Sequence, residues 1–112
     1  MAGAWIGQGV VNVTTSGTPV QLTTTKTLCM VLFIQAKHGN TGRIVGGNDN
    51  TVRADLSAGS PGFIIGAPTS STATPPSVTM SHSNKPFVFD ASGIWIDATA
   101  SGDGVIWSIV AP

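Results

Sequence analysis

At 112 residues the chain fits one domain, long enough to bury a core without metal or disulfide support. Five basic residues balance five acidic ones, only 9% of residues are charged and glutamate is absent. No basic field is left to attract phosphates, so nucleic acid is not an expected partner. The polar surface must come from Thr, Ser, Asn and Gly, a composition that suits strands and tight turns, disfavours exposed helices and desolvates cheaply against other proteins.

In chain order, Met1 to Gly9 reads as a Gly-rich arm and residues 10–112 as a single β-sandwich domain. Met1 to Gly7 has no basic start and no long apolar stretch, so no secretory leader is expected. No run approaches the roughly 18 apolar residues that cross a bilayer, and no membrane partner is expected. Val11 and Val13 alternate with Asn12 and Thr14 until Gly17-Thr18-Pro19 breaks the run. Val20 and Leu22 make a second alternation before the Thr23-Thr24-Thr25 tract.

Leu28 to Ala36 (LCMVLFIQA) is apolar on both faces, with Leu28, Met30, Leu32 and Ile34 expected to point one way and Cys29, Val31 and Phe33 the other. His38 to Gly42 is a turn cluster, Arg43 to Gly46 a short strand, and Gly47 to Asn50 a turn into a further strand, Thr51 to Ala54. Phe63-Ile64-Ile65 follows the Gly-Ser-Pro-Gly turn, and Gly66 to Ser77, with its Pro75-Pro76 pair, reads as a long surface loop. Val78 to Met80 and Pro86 to Phe89 add two short strands around the His82 to Lys85 turn. Ile94 to Val110 (IWIDATASGDGVIWSIV) carries two alternating runs joined by a turn containing Asp103-Gly104, the signature of a hairpin.

About eight to ten short strands with no helical stripe and no repeat predict an all-β fold of the sandwich or barrel kind, with an antiparallel β-sandwich expected. Leu32, Ile34, Ile44, Ile94, Ile96, Val105, Trp107 and Ile109 form the expected core, each side chain contributing roughly 1.5–3 kcal/mol of burial against the entropy of ordering.

The chemistry-bearing residues are sparse. His38 and His82 lie in separate turns, with no carboxylate or thiol at a metal-ligand spacing. Asp49 and Asp103 sit beside Asn or Gly, where a carboxylate bonds its local backbone; a calcium site of loop oxygens is the other reading, though no EF-hand loop is present. Thr41 to Gly47 (TGRIVGG) lacks the P-loop lysine and the dinucleotide spacing, and no nucleophile-elbow motif accompanies the many hydroxyls. The chain is therefore not expected to be an enzyme, and no catalytic residue, metal or cofactor is expected.

Cys29 is the only cysteine and reads as a small buried hydrophobe within its apolar run. Of the three tryptophans, Trp107 shares a face with Val105 and Ile109, whereas Trp95 alternates away from Ile94 and Ile96. Trp5, Cys29, Val31, Phe33 and Trp95 are the expected contact residues for an oligomer or a larger assembly.

Three stretches carry a resemblance: VNVTTSGTPVQLTTTKTLC (Val11 to Cys29), VLFIQAKHGNTGRIVGGN (Val31 to Asn48) and IWIDATASGDGVIW (Ile94 to Trp107). Together they resemble small virion proteins of tailed bacteriophages, in which an "IQA" strand precedes an "NTG" turn and a "VGG" strand. The resemblance implies a jelly-roll-like sandwich serving as a capsid decoration or cement protein or as a head-fibre module. It further implies assembly in the host cytoplasm, a place on the capsid exterior, a homotrimeric state, and the phage major capsid protein as partner. The competing expectations are a receptor- or glycan-binding module of a fibre or tail, with Trp95 and the Gly66 to Ser77 loop facing the host, and a small hydrolase using His38 or His82 as base.

Overall fold

The computed structural model describes residues 5–56, 62–66, 75–81 and 89–110. Among them the chain forms ten strands: β1 (Trp5–Asn12), β2 (Val20–Gln21), β3 (Leu28–Cys29), β4 (Val31–Ala36), β5 (Ile44–Gly47), β6 (Phe63–Ile65), β7 (Ser77–Ser81), β8 (Phe89–Asp90), β9 (Trp95–Ala98) and β10 (Gly104–Val110). One 3-10 turn, Ala91–Gly93, precedes β9. The strands make two antiparallel four-stranded sheets, a front sheet in the order β1-β10-β4-β7 and a back sheet in the order β2-β9-β5-β6, while β3 pairs with β8 at the side.

The pairing has a simple rule: β1 meets β10, β2 meets β9, β3 meets β8, β4 meets β7, and β5 meets β6. The chain is thus one long antiparallel ribbon folded back at its middle. Rolling that ribbon so that β10 also joins β4 and β9 also joins β5 closes both sheets. This is an antiparallel β-sandwich, as the sequence predicts, with the jelly-roll order that the resemblance implies, and its ladders bring residues as far apart as Trp5 and Val110 together.

The core lies between the sheets. Leu32, Ile34 and Ala36 of β4, Val105 and Ile109 of β10, Ile44 of β5, Ile65 of β6, and Ile96 and Ala98 of β9 are buried in it, with Val13 and Leu22 from the corners. Of the eight expected core residues, Ile94 and Trp107 are only partly buried and pack against its margin. Two glycines make room: a Cβ on Gly9 would stand 2.9 Å from the Trp107 indole, and one on Gly7 3.2 Å from Ile109. The Gly-rich segment expected as an arm is consequently strand from Trp5 onward; Met1 to Ala4 lie outside the described residues.

Three further expectations change. The hairpin predicted over Ile94 to Val110 does not form: β9 belongs to the back sheet and β10 to the front, and the segment between them crosses from one layer to the other. Both strands find partners on each side from distant segments, so the local turn steers the chain without pairing its flanks. Leu28 to Ala36 is two strands, broken at Met30, whose N–H donates to the Val110 carbonyl. The break shifts the alternation by one, so Cys29 joins Leu32 and Ile34 in the core and Leu28 turns outward. Thr51 to Ala54 is a loop rather than a strand. The His82 to Lys85 turn, the Pro86 to Val88 part of a predicted strand and most of the Gly66 to Ser77 loop lie outside the described residues.

Gly46 provides a test of this packing. It lies between Ile96 and Phe63 in the back sheet, and a Cβ there would fall on the Phe63 ring. Gly46→Val is expected to lower stability by about 1–3 kcal/mol in urea denaturation, the usual result of overfilling a packed site. Unchanged stability would mean that Phe63 does not cover this strand.

Candidate functional site

The outer face of the front sheet is built by period-two alternation on three adjacent strands. Where Val11, Leu32, Ile34, Val105 and Ile109 turn inward, the residues between them turn outward. The ladder registers align these outward residues in rows: Val10 beside Ile106 beside Gln35, and Gln8 beside Ser108 beside Phe33. Val10 is 58% exposed, Ile106 43% and Phe33 39%. Ser108, the shortest of the six, lies between Gln8 and Phe33, and a groove of about 360 Å³ runs over these two rows. The Gln35 amide donates to the Pro75 carbonyl at 3.0 Å, which fixes one wall. Every outward residue in these rows is uncharged.

The back sheet differs. Its outer face carries Val45, which is covered by Val52 and Ala54 from the loop after β5 and by the partly buried Trp95 of β9. Two polar anchors hold that loop down. The Arg43 guanidinium donates twice to the Ala54 carbonyl, from Nε at 3.1 Å and Nη2 at 2.7 Å. Asp97, only 1% exposed, accepts the Ala54 N–H at 2.7 Å through one oxygen and the Gly17 N–H at 2.9 Å through the other. Trp95 therefore points away from the main core as predicted, yet it roofs a second, smaller one.

Three other acids, Asp49, Asp90 and Asp103, also bind backbone at turns and corners. Asp103 accepts the Thr41 N–H at 3.1 Å and the Gly42 N–H at 2.8 Å, and Asn40 bonds both the N–H and the carbonyl of Gly104. Asp90 accepts from the Thr27 N–H, the Ser92 N–H and the Ser92 hydroxyl, in that order the causes that hold its carboxyl below the usual range. Asp49 is held low by the Thr51 hydroxyl and then its N–H. The local turn role expected for Asp49 is what the structure shows, whereas the Asp103 carboxylate bonds the backbone of a turn distant in sequence, at Thr41 and Gly42, rather than its own. Among the described residues no three of His, Cys, Asp and Glu gather where they would hold a metal ion. His38 is exposed in its turn.

The five expected contact residues do not form one site. Phe33 is exposed and Val31 half-buried on the outer face of the front sheet. Cys29 is fully buried, which removes it as a contact residue; the one-residue break at Met30 is the cause. Trp95 is on the opposite sheet, and Trp5 opens β1 across from Val110, its side chain outside the described part. Sequence reasoning missed Val10 and Ile106. The signal was there, since both alternate with inward residues, but only the pairing of β1 with β10 sets them side by side. Compared with family models, curated proteins and solved structures, the chain has no match.

Two outcomes follow. Asp97→Ala strands two backbone N–H groups and is expected to cost about 2–4 kcal/mol in chemical denaturation, with faster amide exchange at Ala54. Stability equal to wild type would mean that Asp97 does not anchor the loop. Burial first, and the nearby Asp90 charge second, push the Cys29 thiol up to about 11. It is therefore a protonated thiol at neutral pH, and a disulfide reagent should leave the folded protein unmodified while reacting fully with the unfolded chain.

Proposed function

We propose that this chain is a structural virion protein of a bacteriophage, a decoration or cement protein that binds the assembled capsid lattice from outside and stabilises it as a homotrimer. One observation carries the reading: the outer face of the front sheet, where Val10, Phe33 and Ile106 stand exposed on adjacent strands with no charge between them. A contiguous apolar face on a small domain marks a protein contact. The described acids support the same view, since four of them bind backbone at turns and corners rather than converge on a reaction centre. Such a protein needs no catalysis. It acts by mass action, because a ligand that binds only the assembled shell shifts the equilibrium toward the shell.

A receptor- or glycan-binding module of a fibre or tail is the second reading. The jelly roll is shared by capsid and lectin domains, and fold alone does not choose between them. In its favour, the groove sets the Gln8 amide and the Ser108 hydroxyl near the Phe33 ring, groups that a neutral sugar uses. Against it, Trp95, the aromatic residue expected to face the host, is partly buried over Val45, Val52 and Ala54.

The deciding measurement adds purified chain to capsids, stripped of it, from the phage that encodes it. Saturable binding on the outer shell in threefold-related copies, with a higher temperature of DNA release, is the expected result. Capsids that bind none, beside a positive signal on a glycan array, would replace this reading with the second.

A further inference from the structure

We infer that the Asp103-Gly104 bond is the site at which this chain is chemically modified with time, by isoaspartate formation, and that the turn from Asn40 to Gly42 holds the reaction back in the folded protein. The inference stands apart from the proposed function.

The sequence supplies the reactive pair. Where a glycine follows an aspartate, no Cβ shields the peptide nitrogen, and that nitrogen can attack the aspartate side chain. Of the five aspartates only Asp103 precedes a glycine, and no asparagine does. In the first step the Gly104 nitrogen bonds to Cγ of Asp103. A bond from Cγ to oxygen breaks, and that oxygen leaves as water with the N–H proton and one proton from solvent. Water then opens the five-membered imide. Cleavage between the nitrogen and the Asp103 main-chain carbonyl carbon leaves the chain running through Cβ and Cγ, with its composition unchanged.

The fold requires both members of this pair. Gly104 opposes Asn12 across the ladder, where a Cβ would fall on the Val11 carbonyl oxygen and 2.6 Å from Asn12 Oδ1. Asp103, only 6% exposed, accepts the Thr41 N–H at 3.1 Å and the Gly42 N–H at 2.8 Å, bonds that join the crossing from β9 to β10 to the turn after β4. A less reactive residue at either position would lose one of these contacts.

The same turn ties down both reacting ends. Asn40 Oδ1 accepts the Gly104 N–H at 3.0 Å, and Asn40 Nδ2 donates to the Gly104 carbonyl at 2.8 Å, so the attacking nitrogen is fixed. The next two N–H groups of the turn hold the carboxylate under attack. For Cγ to reach the nitrogen, the carboxylate must leave Thr41 and Gly42 and the Gly104 N–H must leave Asn40. Reaction is thereby confined to the rare opened state of this corner.

The product does not fit the sheet. An isoaspartate adds one carbon to the main chain immediately before β10, the strand that lies between β1 and β4. Gly104 begins both ladders, opposing Asn12 on one side and accepting the Lys37 N–H at 2.9 Å on the other. Its displacement loosens the front sheet on both sides.

The test incubates the full chain for weeks at neutral pH and reads isoaspartate by enzymatic methylation, with its position found by mass-spectrometric fragmentation. Folded wild type is compared with wild type unfolded in guanidinium chloride, with Asn40→Ala, and with Gly46→Val, a back-sheet change that lowers stability without touching this turn. Asn40→Ser, too short to bond both groups of Gly104, takes the place of Asn40→Ala should circular dichroism show that variant unfolded. Unfolded wild type should react first at Asp103, and folded wild type at least about tenfold more slowly. The Asn40 variant should react about tenfold faster than Gly46→Val, the factor that losing one or two hydrogen bonds gives. Isoaspartate arising first at another residue of the unfolded chain would overturn the inference. So would folded wild type reacting as fast as unfolded, or an Asn40 variant no faster than Gly46→Val.

Discussion

Rolling a ribbon into two stacked sheets obliges the chain to change layers at each corner, and each crossing strips backbone amides of their ladder partners where water has little access. An orphaned buried N–H costs about as much as a lost hydrogen bond, so the corners need acceptors. Short side chains supply them. At one end, the corner after β1, the corner after β4 and the crossing from β9 to β10 meet: Val13 bonds Asp103 and Gly102 through backbone, Asp97 takes Gly17, Asp103 takes Thr41 and Gly42, and Asn40 pairs with Gly104 as an extra strand residue would. At the other end Asp90 takes Thr27 and Ser92, and Gln21 donates to the Ser92 carbonyl. No buried polar side-chain atom in the described residues is left without a partner.

This arrangement determines what is left for function. Of the five acidic residues, Asp49, Asp90, Asp97 and Asp103 are committed to hydrogen bonds with backbone. Its one thiol is in the core, beyond reach of a substrate. The back sheet has spent its outer face on a second small core under Trp95. The outer face of the front sheet is different: its exposed residues Val10, Phe33 and Ile106 are apolar, and a cation, Lys37, stands only at its end, bonded to Asn12.

Where the alternation was long and uninterrupted, the face of each residue was legible beforehand. In β10 the sequence Gly104 to Val110 assigns Val105, Trp107 and Ile109 to one side and Ile106 and Ser108 to the other, and the structure agrees. The same holds for Leu32, Ile34 and Phe33 in β4. Reading failed where a single backbone irregularity intervenes. Met30 leaves no mark in composition or hydropathy, yet it reverses the side on which Cys29 lies. It failed also where strand character and pairing come apart: Thr51 to Ala54 has the residues of a strand but no ladder, because Asp97 and Arg43 take the Ala54 backbone groups first. Half the candidate surface was visible as Val31 and Phe33, and the other half, Val10 and Ile106, required knowing that the two ends of the chain are neighbours.

By itself the amino-acid sequence determined that this protein is built of short strands, that those strands stack in two layers, and that its surface carries little charge, because periodicity, turn chemistry and composition are local properties. Which strand lies beside which was decided only in the tertiary structure. Hydrogen-bond ladders do not read side-chain identity, so the apparent hairpin of β9 and β10 is outcompeted by four long-range pairings, with β2 and β5 on one layer and β1 and β4 on the other. The neutral face on the front sheet is a product of that choice, since it exists only where β1, β10 and β4 lie side by side.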